Sequence, residues 1–188
     1  MSTGAELQDQ GTKLFMQREY ESAADVFKKA QSAYQAEGKN DLAAEMEVNL
    51  GLVDRALGNF DNAIKLMTGA RQTFVDLKDR SREAQVIGNL GGVYLAQGNS
   101  EQAVTLYREA ADTFRDLKDE ERYGQTLLAI ADVQMRSGKL NQAMMTYEIA
   151  LDSIGKDNLN FRQKVLKGLL DVKNRIAGGG APAATKEE

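Results

Sequence analysis

The sequence predicts an all-α fold of stacked helix pairs, and three observations lead to this prediction. Residues that favour helices (Ala, Leu, Gln, Glu, Lys and Arg) are abundant, whereas the 188-residue chain contains one proline. The same residue pattern returns every 40 positions. Within each copy, apolar residues follow one another at steps of three and four, which places them on one face of a helix.

The 40-residue period is visible in short phrases that recur along the chain. Gly58-Asn59 returns as Gly98-Asn99, and Leu77-Lys78-Asp79 returns as Leu117-Lys118-Asp119. Weaker copies extend the same frame upstream and downstream. Four repeats therefore fit, at approximately residues 1–40, 41–80, 81–120 and 121–158.

The second half of each repeat predicts a helix, which we call helix B. Small and large apolar residues alternate there in columns that share one position of the repeat. These columns are Ala23, Ala63, Ala103 and Ala143; Phe27, Met67, Tyr107 and Tyr147; Ala30, Ala70, Ala110 and Ala150; and Tyr34, Phe74, Phe114 and Ile154. Steps of four, three and four along one copy indicate a helix of about four turns.

The first half of each repeat predicts another helix, helix A, which ends at a tight turn before helix B. Gly58, Gly98 and Gly138 supply the left-handed conformation that ends a helix, whereas the first repeat has Arg18-Glu19 at the turn. Small residues in helix A, such as Gly51 and Gly91, allow the two antiparallel helices to approach closely.

These features resemble the tetratricopeptide repeat (TPR) family over about residues 5–157. The shared pattern is a leucine and a small residue in helix A, the turn glycine, and then alanine, an aromatic residue or Met, and alanine in helix B. The copies exceed the usual ~34 residues, as do the long repeats of kinesin light chains and spindle-orientation scaffolds. The family's tryptophan column and helix B proline are absent. The resemblance implies a right-handed superhelical solenoid of four TPR-like helix-turn-helix repeats, with a concave groove that binds a protein or peptide.

A C-terminal capping helix is predicted after the fourth repeat, at residues 159–177, so that the array spans residues 1–177. Its apolar stripe consists of Phe161, Val165, Leu169, Val172 and Ile176. Asp171 occupies the position that must be small where a helix B packs, so we expect no further hairpin. Residues 178–188 contain no core-forming residue and predict a disordered tail.

Composition argues against several functions. Acidic residues outnumber basic ones by 28 to 24, without a basic stripe, which disfavours nucleic acids and membrane surfaces as partners. The chain contains neither cysteine nor histidine, and the carboxylates follow no calcium-loop spacing. We therefore expect no metal, no cofactor and no enzymatic activity, and a cytoplasmic location.

Helical spacing selects the residues of helix A that point away from both helix B and the neighbouring repeat, and these are the candidate partner-binding residues. They include Asn49, Leu52, Arg55, Gln85, Asn89, Gly92, Leu95, Gln125, Leu128, Asp132, Met135 and Arg136. Leu52, Leu95, Leu128 and Met135 would form an apolar floor, and Arg55 and Arg136 would steer the partner. Gly88 and Gly92 serve either helix packing or the approach of a ligand backbone.

Asn49 and Asn89 share one column of the repeat, and an amide can both donate to and accept from a peptide backbone. In the long-repeat scaffolds that the chain resembles, asparagines in this column clamp a peptide; the alternative is bonding to neighbouring helices or water. The basic carboxylate clamp of chaperone-binding relatives is missing. The favoured function is a protein-protein interaction adaptor or scaffold, and the alternative is a self-assembling structural protein that forms a homo-oligomer.

Overall fold

The computed structural model describes residues 2–177, and every regular element within this range is helical. The helices are α1 (Gly4–Met16), α2 (Tyr20–Ala36), α3 (Asn40–Leu57), α4 (Phe60–Asp76), α5 (Arg80–Ala96), α6 (Ser100–Asp116), α7 (Glu120–Arg136), α8 (Leu140–Ile154) and α9 (Phe161–Ala177), with a 3-10 turn at Lys156–Asn158. The all-α fold class is confirmed. Met1 and the predicted tail, residues 178–188, lie outside the described residues.

Left-handed residues recur at regular intervals between the first eight helices. They are Arg18, Gly38, Gly58, Lys78, Gly98, Lys118 and Gly138. The amide that follows each one donates to the carbonyl five residues earlier, as in the 2.8 Å bond from Asn59 N to Asp54 O. This 6→1 bond belongs to the Schellman motif, which ends a helix sharply. Arg18 adopts the same conformation, so the first repeat turns like the others despite its lack of glycine.

The chain divides into two compact units, residues 2–119 and residues from 120 onward. In the first unit, α1/α2, α3/α4 and α5/α6 form hairpins, and α2 packs on α3 as α4 packs on α5. Apolar residues of α2 and α3 form one core cluster, in which Phe27 and Met46 are buried. A Cβ built on Gly51 would lie 2.9 Å from Met67 Cγ, which confirms that close helix contact requires the small residue.

The second unit consists of the α7/α8 hairpin and α9. Leu151, Ile154, Leu159 and Leu170 form its buried cluster, with Leu166 packed against it. The side of α9 that packs differs from the sequence prediction. Leu166 and Leu170 face α8, whereas the predicted stripe is exposed, with Phe161 81% and Leu169 64% accessible. The side chain of Ile176 is outside the described part of the chain.

Candidate functional site

The candidate residues of the first unit lie around a cavity of about 260 Å³ formed by α1, α3, α4 and α5. Its lining consists of Gln8, Glu45, Val48, Asn49, Phe74, Arg82, Gln85 and Val86. Asn49 and Gln85, both chosen from helical spacing, are brought together here. Gln8 is held in place because the Tyr34 hydroxyl donates to its Oε1 at 2.7 Å. Burial, followed by the negative charge of Glu45, raises the pKa of Tyr34.

A second cavity, of about 190 Å³, adjoins the first through Asn49. Its other lining residues are Thr12, Phe15, Phe27 and Leu52, so it is more apolar. Because Asn49 lines both cavities, a ligand that crosses this side chain contacts an amide-rich depression on one side and an apolar depression on the other. The face of α1 and α3 therefore offers polar and apolar contacts in succession.

The amide side chains of Asn49, Gln85 and Asn89 form no hydrogen bond to protein within residues 2–177. All three belong to the side of the A helices that helical spacing directs away from helix B and the neighbouring repeat, which we call the A-helix face. Asn49 and Asn89 are half-buried and Gln85 is exposed. Bonding to neighbouring helices was one explanation for the two asparagines, and the contacts within the described range do not support it. Their donors and acceptors remain available to a ligand.

Arg82 lines the larger cavity and bridges α5 to α3. Its guanidinium donates to Asp41 Oδ2 at 3.1 Å and Glu45 Oε1 at 3.0 Å, and its Nε donates to Asp79 at 2.7 Å. The guanidinium carbon lies 5.0 Å from the centre of the Phe74 ring. Burial opposes the charge, but the carboxylates outweigh it and raise the pKa of Arg82. Arg82 is therefore a neutralised structural cation.

Acid should weaken this bridge. The Arg82 side chain lowers the pKa of Asp41, and the Arg82 backbone amide lowers that of Asp79. A carboxyl whose folded pKa lies below its unfolded value of about 3.9 stabilises the fold above that value, and the contribution disappears as pH falls through the folded pKa. Arg82→Met should lower the unfolding free energy at pH 7 by about 1–2 kcal/mol, reduced by solvent screening.

Urea denaturation followed by circular dichroism at pH 7 and pH 2 measures this effect. We expect the difference between the parent protein and Arg82→Met to shrink at pH 2, because the parent loses the contribution there. An equal difference at both pH values would show that the carboxylates do not stabilise the bridge. Arg80→Met is the matched control, since Arg80 pairs with Asp116 on the exposed surface.

Gly92 and Arg55 are neighbours in the structure. A Cβ built on Gly92 would lie 2.5 Å from Arg55 Nη1, so the glycine provides the space that the guanidinium occupies. A Cβ on Gly88 would meet only the Cβ of Ala110, at 3.8 Å. Arg55 forms no ion pair within residues 2–177. The space at Gly92 therefore positions a half-exposed cation on the A-helix face, and only the space at Gly88 stays open.

The remaining candidates are spread along α5 and α7. Leu95 is half-buried on α5. In the second unit, Leu128 packs against the Leu151 cluster, and Asp132 accepts a hydrogen bond from the Tyr147 hydroxyl. Burial, followed by Asp132, raises the pKa of Tyr147 to about 12. Gln125, Met135 and Arg136 are exposed, and Gln125 donates to Glu121 at 3.1 Å.

Sequence reasoning missed Arg82 and Phe74 as parts of the cavity. Arg82 shares its repeat column with Ser2, Leu42 and Arg122, and this column has no constant residue type that would have indicated a site. Phe74 was assigned to the core, where it also packs. Within the described residues, no cluster of acidic side chains suits a metal ion, and no helix is long and apolar enough to cross a membrane.

Comparison with solved structures shows the same fold in two proteins. The chain is similar to the crystal structure of BtubC (BKLC) from P. vanneervenii, with a TM-score of 0.71 and 18% identity over 98% of this chain and 86% of that one. It is also similar to pilF of Pseudomonas aeruginosa, with a TM-score of 0.50 and 15% identity over 95% and 93% of the two chains. These likenesses confirm a TPR-like α-solenoid.

Sequence comparisons give the family. A search of curated proteins found no match. The family model of the soluble NSF attachment proteins (SNAP), by contrast, matches residues 2–166, which include α1 to α8 and the first six residues of α9. Because the match covers most of the sequence, the chain belongs to the soluble NSF attachment protein family.

Proposed function

We propose that this protein is a cytoplasmic, non-enzymatic adaptor that binds a peptide or helix of a partner protein on the A-helix face. The observation that carries the proposal is the pair of adjoining cavities at Asn49, where unbonded amides lie beside apolar side chains. A small number of polar groups that fix orientation, set among apolar walls, is typical of a binding site. The family is named for attachment to a protein, NSF, which supports a protein as the ligand.

The amides suit the backbone of an extended or helical segment. Asn49 on α3 and Asn89 on α5 lie one repeat apart, and each can donate to a peptide carbonyl and accept from a peptide amide. Asparagines in this column clamp peptides in the long-repeat scaffolds that the chain resembles, which also supports this role. Recognition of the backbone would be independent of sequence, and Leu52 and Leu95 would select apolar side chains.

Charge at the proposed site favours a ligand with at least one acidic group. Arg82 is neutralised by three carboxylates, whereas Arg55 has an accessible guanidinium beside Gly92. Arg55 would pair with a carboxylate of the partner and set its register. Four further residues were predicted from the sequence as partner-binding, at the equivalent positions of α7 in the second unit: Gln125, Asp132, Met135 and Arg136. The proposed site comprises residues of the first unit.

The double substitution Asn49→Ala and Asn89→Ala tests the amide clamp. Peptides selected from a random displayed library against the parent protein serve as probes, and their affinities are measured by fluorescence anisotropy. We expect the double variant to bind about tenfold to a hundredfold more weakly, because each lost hydrogen bond contributes about 1 kcal/mol. Asn141→Ala, at an exposed position of α8, is the control and should bind normally. Unchanged affinity in the double variant would remove the clamp from the proposal.

A further inference from the structure

The C-terminal helix α9 exposes an apolar stripe that nothing in the described chain covers. Phe161, Val165, Leu169 and Val172 are 81, 47, 64 and 53% exposed. The helix is nevertheless fixed on α8 by its opposite side, through Leu170 and through the bond of 2.5 Å from Asn174 to Glu148. The stripe is therefore presented on a docked helix.

The stripe falls in repeat columns that include two candidate partner-binding residues of α3, Asn49 and Leu52. Counting back three repeats, Phe161, Val165, Leu169 and Val172 correspond to Asp41, Glu45, Asn49 and Leu52. The repeat columns that contact a helix B hold Lys164 and Asp171 in α9. Helix α9 therefore lacks the small residues against which a helix B would pack. In α9 the face that carries polar and mixed residues in α3 has become continuously apolar.

A glycine opens a hole in the middle of the stripe. Val165, Gly168, Leu169 and Val172 have the spacing i, i+3, i+4 and i+7, which forms the hole that receives a side chain from a facing helix. A Cβ built on Gly168 would meet no atom within 4 Å. Glycine weakens a helix interior, and no close contact inside the described chain requires it here. A partner side chain entering the hole would explain both the glycine and the exposed apolar rim.

Cations border this stripe. Helix α9 contains five basic residues and one acidic residue, in a chain whose net charge is −4. Lys167 is paired with Asp152, but Arg162 and Lys164 are exposed and form no ion pair within residues 2–177. From the hole and the charges together, we propose that α9 binds an amphipathic helix of another protein, one that inserts a large apolar side chain at Gly168 and carries acidic residues beside it.

Two other occupants fit less well. A second copy docked by its own α9 would bring two basic helices together. A second copy docked by the free side of α1 would offer a polar surface. That side holds Thr3, Glu6, Gln10 and Lys13, where α3 has Ala43, Met46, Leu50 and Val53. An anionic membrane would be repelled by the net negative charge and by the exposed acids Asp157 and Asp171 of the same unit. A partner helix can confine its acidic residues to positions beside Arg162 and Lys164, whereas an anionic membrane would also face the other acids of the unit.

Two synthetic helical peptides with the same leucine stripe, one flanked by glutamates and the other by lysines, provide the test. Isothermal titration at low salt should show that the full chain binds the glutamate peptide at least about tenfold more tightly. Arg162→Glu combined with Lys164→Glu should reverse this preference. Equal binding of the two peptides, or a preference that does not reverse, would overturn the proposal.

Gly168→Leu separates binding from folding. Leucine favours the helix more than glycine does, so the melting temperature should stay the same or rise, whereas filling the hole should weaken binding of the glutamate peptide at least about tenfold. Leu169→Asp should also weaken it, and the control Val75→Asp, at an exposed position of α4, should not. Full affinity in Gly168→Leu would contradict the proposed hole.

The alternative occupants have their own readouts. If the parent protein sediments as a dimer and Leu169→Asp sediments as a monomer, the stripe binds a second copy, and the proposal is overturned. Binding to phosphatidylserine-containing vesicles without binding to the glutamate peptide would assign it to a membrane, with the same consequence. The inference does not depend on the proposed binding site on the A-helix face. Leu95→Asp, in the first unit, should therefore leave binding of the glutamate peptide unchanged.

Discussion

Replacing Phe74 with alanine is expected to lower the free energy of unfolding by about 3–5 kcal/mol, the usual cost of deleting a buried aromatic ring. The Phe74 side chain is 1% exposed. Truncation removes its packing, and it also removes the ring on which the Arg82 guanidinium is stacked at 5.0 Å. Because Phe74 lines the larger cavity, the void would open into the proposed binding site.

Urea denaturation followed by circular dichroism measures the loss. Leu77→Ala is the matched control, since Leu77 is 49% exposed only three residues further along the chain, and a change within about 0.5–1 kcal/mol is expected there. If Phe74→Ala cost no more than Leu77→Ala, the ring would not be part of the core that supports the site. The same variant should bind the selected peptides more weakly, because the cavity wall is no longer fixed.

Replacing Gly124 with alanine is expected to destabilise the second unit by about 1–3 kcal/mol, as overpacking of a close helix contact does. A Cβ at this position would lie 2.6 Å from the carbonyl oxygen of Ala150 and 3.1 Å from the backbone nitrogen of Ile154. Backbone atoms cannot rotate away as a side chain can, so α7 and α8 must separate. The equivalent positions of α3 and α5 hold Ala44 and Ala84, and there alanine fits.

Gly168→Ala provides a control of opposite sign in the same unit. Its Cβ would meet nothing within 4 Å, so only the gain in helix propensity remains, at about 1 kcal/mol. Thermal melts of the two variants should therefore shift in opposite directions. A Gly124→Ala protein as stable as Gly168→Ala would show that α7 and α8 are not in the close contact described above.

The repeat made most of the fold predictable from sequence. Alternating small and large residues located the helices, and Gly58, Gly98 and Gly138 located three turns. The turns at Arg18, Lys78 and Lys118 have the same left-handed geometry without glycine. A side chain in this conformation is locally unfavourable and is tolerated because the packed helices on both sides fix the turn, so residue identity alone does not indicate it.

The site was less predictable because its details depend on side chains from different repeats. Helical spacing selected Asn49 and Gln85, which meet at one cavity. It did not indicate that Arg82 would reach from α5 to carboxylates on α3, since a network of this kind depends on the approach of helices far apart in sequence. It left two roles open for Gly92, helix packing or the approach of a ligand backbone, and the guanidinium of Arg55 lies there.

Helix α9 shows the same limit in another form. The spacing of its apolar residues correctly indicated an amphipathic helix. This spacing does not specify which of the apolar residues pack against another helix. Leu166 and Leu170 pack on α8, and the more conspicuous stripe through Phe161 and Leu169 remains exposed. Burial depends on the position of α8, which the sequence of α9 does not contain.

The central claim, that a protein ligand binds on the A-helix face of the first unit, is tested most directly by the affinity of library-selected peptides for Leu52→Asp, because Leu52 lines the apolar cavity beside Asn49. A buried charge at the centre of an apolar contact opposes binding strongly, so affinity should fall by about a hundredfold or more. Val75→Asp places the same charge at an exposed position of α4, and this variant should bind like the parent protein. If Leu52→Asp binds the selected peptides as tightly as the parent does, the ligand lies elsewhere and the account is contradicted.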